Sequence, residues 1–327
     1  MPKELTHWQV ARGAVSGGVA GPVRDLIAQA PDLYYLGAVA HDIPFYDLSA
    51  AAGVSLERMG NHLHGVNGEN TLVPLCDILT ESLREPGKDY LLAFCLGLLT
   101  HFVTDSTFHP AVYYLSGNYF DPDPARRNRA VFHHRLLETG LDLWLQTRQP
   151  LLYSQSLAGL WRSAGRRGQE ALSLLIERYA PAGDEGSRRH FWRAWRNQRL
   201  LQSAFKWSVP WRILRFYRRL GHPGGAKLEA LFYPQPLNLS FFETRAAWRH
   251  PVSGDLNETT LPALFAASVE KAIDLFNKLG ARPPQAWADF LRTLPPVSLE
   301  TGLAYVPVTE MKYFLEEDIS RSLQKSP

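Results

Sequence analysis

The sequence predicts an all-α fold, a multi-helix bundle with an additional helical C-terminal half. Apolar residues recur at helical spacing along much of the chain. Alternating runs that are typical of strands are scarce, and proline and glycine residues separate the periodic segments. The chain has 327 residues, which is enough to bury a large core.

Seven segments show the helical period, and their limits predict the main helices. They are residues 8–15, 71–83, 90–107, 129–145, 170–179, 190–201 and 261–279. Asn257 together with Thr260 predicts an N-cap before the last of these helices. The most apolar stretch, 90–103, is shorter than a membrane span and leads into imidazole and carboxylate groups, so we expect a buried helix. From Pro283 onward the chain is expected to be irregular, except for a short helix near 311–323.

Two regions are predicted. Residues 1–150 are expected to form a core that carries the chemistry, and residues 151–327 a helical region packed on it, in one compact unit. No internal repeat at a solenoid period is visible.

Charge is distributed unevenly along the chain. The net charge of +3 is too small to indicate a polyanionic partner by itself. Arginine and tryptophan residues are concentrated in 188–219, which indicates peripheral contact with an anionic lipid surface or with a nucleic acid. The alternative is an ordinary amphipathic helix whose aromatic residues lie in the core and whose arginines face water.

The two cysteines, Cys76 and Cys95, lie in apolar runs and have no metal-ligand spacing, so neither a disulfide framework nor a thiolate zinc site is expected. A reducing compartment is therefore expected. No signal peptide or transmembrane segment is visible, and we expect a cytoplasmic location.

Histidines are clustered, since eight of the eleven precede residue 135. His101, Asp105 and His109 are spaced i, i+4 and i+8, which places all three on one helix face. Imidazole nitrogens and carboxylate oxygens are ligands that suit zinc, and three such groups inside an apolar helix would otherwise be costly to bury. The pattern predicts a metal site.

A second helix repeats this spacing with His134 and Glu138. Its neighbour His133 points about a quarter-turn away, so His134 is the better candidate ligand. By itself such a pair is a weak signal, because exposed helices often carry one.

Three further histidine segments complete the set. His41 and Asp42 follow a small apolar run, and Asp42 is favoured as a ligand because His41 serves equally well as a partner for the turn at Pro44. His62 and His64 lie at a predicted helix end or loop, where functional side chains are often placed. The first helix offers one more imidazole, that of His7.

These residues resemble the bacterial zinc-dependent phospholipase C family, whose fold is all-helical and whose site holds three zinc ions. The matching pieces occur in the family's order between residues 6 and 142. They are Thr6-His7-Trp8, Ala40-His41-Asp42, Asn61-His62 with Leu72-Val73-Pro74-Leu75 behind it, the helix from His101 to His109, and the helix from His134 to Glu138.

The resemblance implies a set of ligands for each of two or three zinc ions. It assigns one zinc to Asp42, His62, His101 and Asp105, a second to His109, His134 and Glu138, and a third to His7 with Asp105 as the bridge. His62 is preferred over His64 because its distance to Pro74 matches the family's spacing.

The sequence departs from the secreted members in two respects. The spacing from Asp105 to His109 is tighter than theirs, and no tryptophan precedes His7. Pro2, which becomes the first residue if Met1 is trimmed, is the alternative source of a terminal amine.

The resemblance implies hydrolysis of a phospholipid phosphodiester, which releases diacylglycerol and a phosphorylated head group, with Asp42 as general base. Zinc would bind the phosphate oxygens and lower the pKa of water. Two alternatives stay open. One is a single-strand nuclease of the related three-zinc type, and the other is a membrane-associated protein whose metal site only stabilises the fold.

Overall fold

The computed structural model describes residues 3–19, 21–48, 56–84, 87–151, 154–179, 185–221 and 223–323, and these are mainly helical. The α-helices are α1 Glu4–Ser16, α2 Gly21–Gln29, α3 Pro31–Ala40, α4 Leu56–Leu63, α5 Val73–Ser82, α6 Tyr90–Ser116, α7 Pro124–Gln146, α8 Leu157–Tyr179, α9 Glu185–Ala204, α10 Ser208–Arg219, α11 Pro223–Glu229, α12 Phe241–Thr244, α13 Leu261–Gly280, α14 Trp287–Arg292 and α15 Ser320–Leu323. Two short strands, β1 Trp248–Arg249 and β2 Leu256–Asn257, pair antiparallel. The prediction of an all-α fold is confirmed.

The helix ends follow ordinary capping chemistry. The side chain of Thr260 accepts a hydrogen bond from the backbone N–H of Ala263 at 3.2 Å and caps α13, as predicted. Asp123 caps α7 in the same way, by accepting from the N–H groups of Ala125 and Arg126. Pro124 follows at the first helical position, where its missing N–H costs nothing.

Helix α6 forms the centre of the fold. It is long and apolar enough to cross a membrane, but 89% of its most apolar window is buried inside the protein. That burial identifies it as a core helix. It continues to Ser116, past the predicted end at 107.

Two glycines bring α3 and α6 into backbone contact. A Cβ atom on Gly97 would lie 2.1 Å from the carbonyl oxygen of Tyr34, and one on Gly37 would lie 2.2 Å from that of Phe94. Only residues without a side chain allow the helices to approach this closely. The contact places the C-terminal end of α3 beside the middle of α6.

The main hydrophobic core combines residues from both parts of the chain. Trp8 and Phe94 belong to the first 150 residues, whereas Phe191, Trp195 and Trp287 belong to the C-terminal part, and all five are buried in the same cluster. The boundary at residue 150 itself stays a prediction.

The C-terminal segment differs from its prediction. Helix α14 forms where irregular chain was expected, because Trp287 is buried and its indole N–H donates to the carbonyl of Leu279 at 2.9 Å. The predicted helix near 311–323 is reduced to α15. The N–H groups of Lys312 and Tyr313 instead donate to the carbonyl of Pro251, so tertiary hydrogen bonds replace the helical ones there.

Cys76 and Cys95 are buried free thiols. Burial raises the pKa of Cys76 to about 11, so this thiol stays protonated at neutral pH.

Candidate metal centre

The three predicted residues of α6 form one buried face. His101, Asp105 and His109 follow each other at intervals of about one turn, and their side chains are fully buried. Nε2 of His101 lies 3.0 Å from Oδ2 of Asp105, and Nε2 of His109 lies 4.0 Å from Oδ1 of the same carboxylate. Asp105 therefore stands between the two imidazoles.

A first group of candidate metal ligands includes Asp105 and three residues on one side of it. It consists of Asp42, His64, His101 and Asp105, whose candidate ligand atoms lie within 4.8 Å of one another. Oδ1 of Asp42 is 3.4 Å from Nε2 of His101 and 3.5 Å from Nε2 of His64. The contact between α3 and α6 makes this possible, because Asp42 follows the end of α3.

A second group lies on the other side of Asp105 and consists of His109, His134 and Glu138. Nε2 of His134 is 2.9 Å from Oε1 of Glu138, and the ring centroids of His109 and His134 are 5.8 Å apart. His109 follows Asp105 by only four residues and lies in this second group.

His7 joins the site from α1. Its Nε2 is 3.4 Å from Oδ1 of Asp105 and 3.9 Å from Oδ2 of Asp42, and its ring stacks on that of His101 at a centroid distance of 4.1 Å. This is the position that the resemblance implies for a ligand of a third ion. Pro2, the alternative terminal amine, lies outside the described residues.

The structure corrects the choice between His62 and His64. The side chain of His62 is 59% exposed and lies 3.3 Å from Oε1 of Glu69, outside both groups. His64 is fully buried among the ligands. Residues two positions apart leave a helix in nearly opposite directions, so only one of the two can face the site. Spacing to Pro74 carries no information about that direction.

The remaining histidines of the cluster have other surroundings. His133 lies 3.0 Å from Oδ1 of Asp318, away from the two groups. His41 is buried and stacks on His101 at a centroid distance of 4.8 Å. It thus lies beside the first group, whereas its neighbour Asp42 faces the other candidate ligands.

Backbone carbonyls orient three of the imidazoles. Nδ1 of His64 donates to Gly60 at 2.8 Å, and Nδ1 of His101 donates to Ala38 at 3.0 Å. Nδ1 of His109 donates to Leu299 at 2.9 Å. Since a carbonyl oxygen only accepts, each Nδ1 carries the proton, and each Nε2 is left to face its group. This is the usual outer-shell arrangement of metal-binding histidines.

Leu299 and Glu300 are residues that sequence reasoning missed. The N–H of Leu299 donates to the carbonyl of His64 at 2.9 Å, so this one residue braces a ligand of each group. Glu300 is buried, lies 3.2 Å from Nδ1 of His109 and accepts a hydrogen bond from Tyr113. Burial raises its pKa, but the interaction with the adjacent His109 imidazole outweighs burial and lowers the pKa of Glu300 to about 2. No local pattern marks a residue 191 positions away from its partner.

Carboxylates control the protonation of the first group. Burial lowers the pKa of His64, but the adjacent carboxylates of Asp105 and Asp42, 3.4 and 3.5 Å from its Nε2, outweigh burial and raise the pKa to about 10. The same carboxylates raise the pKa of His101 despite its burial. In contrast, burial and the nearby His101 lower the pKa of His7 to about 3, so this imidazole stays neutral.

The donor set fits zinc, whose usual ligands include imidazole nitrogens and carboxylate oxygens. Several of these atoms are buried and have no hydrogen-bond partner among the described residues: Oδ1 of Asp42, both oxygens of Asp105, Nε2 of His109 and both nitrogens of His7. Buried polar atoms are costly unless something satisfies them. A divalent cation bonded to the inward-facing atoms would remove that cost.

We expect His64→Ala to lose zinc and His62→Ala to keep it. His64 contributes a buried nitrogen to the first group, whereas His62 faces water, so the first variant should also lose activity by at least about a hundredfold. Elemental analysis of the two proteins, purified in parallel without chelator, measures the difference. Zinc loss in His62→Ala with full zinc in His64→Ala would reverse the assignment.

Zinc binding should release protons near neutral pH. With a pKa of about 10, His64 is protonated in the metal-free protein at pH 7, but a ligand imidazole must be neutral. Affinity should therefore rise with pH, by about tenfold per pH unit for each proton released. Titration calorimetry in two buffers with different ionisation enthalpies counts the protons. Identical heats in both buffers, and an affinity that is independent of pH, would contradict this expectation.

Comparison with known proteins agrees with this geometry. Residues 6–183, more than half of the chain, match the family model described as zinc dependent phospholipase C. No curated protein and no solved structure matches the sequence significantly. The match covers every residue of both ligand groups, whereas Leu299 and Glu300 lie beyond it. From its sequence and its cluster of buried histidines and carboxylates, the chain belongs to the zinc-dependent phospholipase C family.

Proposed function

We propose that the protein hydrolyses the phosphodiester of a phospholipid on the glycerol side, which releases diacylglycerol and a phosphorylated head group. Membership of the family supports zinc-dependent phospholipid hydrolysis in general. The observation that carries the proposal is the pair of adjoining ligand groups with Asp105 between them. Two or more adjoining metal ions can stabilise both the attacking and the leaving oxygen of a displacement at phosphorus.

The charges of the two groups suit an anionic substrate. The two groups together contain three carboxylates, Asp42, Asp105 and Glu138, so that one dication in each group would leave one positive charge uncompensated by these ligands. Zinc, when bound, polarises phosphate oxygens and lowers the pKa of water. The burial of all these side chains keeps the local dielectric low, which strengthens their attraction for a phosphodiester.

Asp42 is the candidate general base. Its Oδ1 has no hydrogen-bond partner among the described residues and faces the two imidazoles of the first group, and its Oδ2 faces His7. A carboxylate in this position can hold a water molecule and accept its proton as the water attacks phosphorus. It is also a candidate ligand, so its two roles must be measured separately.

We expect Asp42→Asn to lower kcat by about a hundredfold or more while most of the zinc is retained, because the amide oxygen can still bind metal but cannot accept a proton. Zinc content and kcat are the measurements. If zinc and rate fall in parallel, Asp42 is only a ligand.

The proposed reaction is tested by identifying the products. The zinc-loaded protein is incubated with phosphatidylcholine vesicles, and mass spectrometry identifies the lipid and the water-soluble product. Diacylglycerol with phosphocholine supports the proposal, whereas phosphatidic acid with free choline places the cleavage on the other side of phosphorus. Retained zinc with no hydrolysis of any phospholipid would make the metal site structural.

Single-stranded DNA and RNA are assayed in parallel for the nuclease alternative. Stacking of bases requires accessible aromatic rings. Phe191 and Trp195, which lie in the arginine-rich and tryptophan-rich stretch 188–219, are buried in the core and cannot provide them. Cleavage of the oligonucleotides but not of phospholipid would overturn the proposal.

A further inference from the structure

Helix α10 exposes an apolar stripe to solvent. Val209, Ile213, Phe216 and Leu220 have exposed fractions of 63%, 52%, 59% and 59%. Their spacing of i, i+4, i+7 and i+11 places all four on one face of α10 and its C-cap residue. Contiguous exposed apolar surface of this kind usually marks an interaction site.

The opposite face of α10 holds the helix on the protein. Trp211 is buried, and Leu214 packs against the main core. Arg218 forms an ion pair with Glu229, which is buried at the end of α11. The stripe is thus the outer face of an anchored helix, and its apolar residues do not belong to the core.

The sequence around the stripe is basic. Between residues 205 and 221 the chain has one lysine and four arginines but no aspartate or glutamate. Three of these arginines flank a surface groove of about 490 Å³, which is lined by Trp211, Arg212, Arg215, Phe216 and Arg219. Guanidinium groups beside aromatic rings suit phosphate groups and the interfacial layer of a bilayer.

Only part of the arginine-rich and tryptophan-rich region is available for such contact. In α9, Phe191 and Trp195 are buried, and Trp192 is partly buried against the core. In α10, the apolar stripe and the arginines are both on the surface. Within the stretch 188–219, α10 is therefore the part that fits the predicted contact with a membrane surface.

The packing of α10 links it to the second ligand group. Helix α11 lies between α10 and α7, since Arg135 donates to the carbonyl of Lys227 at 3.0 Å and Thr139 donates to that of Ala230 at 2.7 Å. Arg135 follows His134 in α7, and Thr139 follows Glu138. The exposed helix α10 thus packs on α11, which in turn packs on α7, the helix that carries the candidate ligands His134 and Glu138.

We propose that α10 lies in the interface of a bilayer that contains anionic phospholipids, with its apolar stripe inserted between the head groups and its arginines on their phosphates. This inference rests on the proposed function, because the bilayer that α10 would contact contains the phospholipid substrate.

The test is binding to vesicles, measured independently of hydrolysis. We compare Ile213→Ser/Phe216→Ser with the wild type by co-sedimentation, using phosphatidylcholine vesicles with and without about one-third phosphatidylserine. The wild type should bind the anionic vesicles more tightly, and the double variant should lose about tenfold or more of that affinity because two inserted side chains are removed. Leu256→Ser, which replaces another exposed leucine on β2, is the matched control and should bind like the wild type.

Activity separates the failure of this inference from the failure of the proposed function. The ratio of activity on vesicles to activity on monomeric short-chain phosphatidylcholine should fall in the double variant. Vesicle binding that depends on α10, without hydrolysis of either substrate, refutes the proposed function and leaves the docking surface intact. Hydrolysis with unchanged vesicle binding in the double variant refutes the docking surface alone.

Two other occupants of the stripe would also overturn the inference. A dimer that sedimentation velocity detects, and that Phe216→Ser dissociates, assigns the stripe to a second copy of the chain. Binding of single-stranded oligonucleotides that the double variant loses, in the absence of vesicle binding, assigns it to nucleic acid.

Discussion

Asp105→Asn should remove zinc from both ligand groups and lower phospholipid hydrolysis by roughly a thousandfold or more. The carboxylate of Asp105 lies within 4.0 Å of the Nε2 atoms of His7, His64, His101 and His109. No other described carboxylate is this close to members of both groups. Asparagine preserves the volume but removes the charge that would hold the cations and that raises the pKa of His64.

Zinc per chain, measured by elemental analysis, and the initial hydrolysis rate are the readouts for this variant. Asp32→Asn is the matched control, because Asp32 is also buried but lies at the opposite end of α3, where it contacts Arg167. The control should retain zinc and activity. Full zinc together with a wild-type rate in Asp105→Asn would show that the central carboxylate is not a ligand.

Gly97→Ala should destabilise the protein by about 3 kcal/mol or more and reduce its zinc content. The new methyl group would lie 2.1 Å from the carbonyl oxygen of Tyr34 and 2.8 Å from the backbone nitrogen of Ala38, so α3 must move away from α6. Backbone atoms cannot yield by a change of rotamer. Displacement of α3 would carry away Asp42 and the Ala38 carbonyl that orients His101.

Urea denaturation measures the free energy of unfolding, and elemental analysis measures zinc. Gly21→Ala is the control, because a Cβ atom at that position meets no atom within 4 Å. Its stability should equal that of the wild type or exceed it slightly, since alanine restricts the unfolded chain. If Gly97→Ala unfolds at the same urea concentration as Gly21→Ala and keeps its zinc, the close contact between the helices does not position the site.

Much of the fold follows from local pattern. Each of the seven periodic segments corresponds to a helix, and Thr260 caps α13 as its position indicated. Helical periodicity and capping depend on neighbours within a few residues, so a sequence displays them directly. The helices α2, α3, α4, α10, α11, α12 and α14 were not among the predicted segments, since their limits depend on packing against distant residues as well as on periodicity.

The candidate site was also predicted only in part from the sequence. The spacing of His101, Asp105 and His109, and that of His134 and Glu138, places each set on one helix face without tertiary information. The choice of His64 over His62 depends on how the turn after α4 folds back onto α6. The roles of Leu299 and Glu300 depend on contacts across most of the chain. Metal binding itself stays a prediction that the zinc measurements test.

The sequence by itself determined the helical class of this protein, the two helices that carry most of its candidate ligands and, through the order of those ligands, its family. Only the tertiary structure decided which histidine at the end of α4 joins the site, which backbone carbonyls orient the rings, and which face of the arginine-rich region is exposed to solvent. The physical reason is the distance along the chain over which the deciding interactions act. Periodicity and ligand spacing act within a helix, whereas burial and orientation result from contacts between residues that are far apart in the chain.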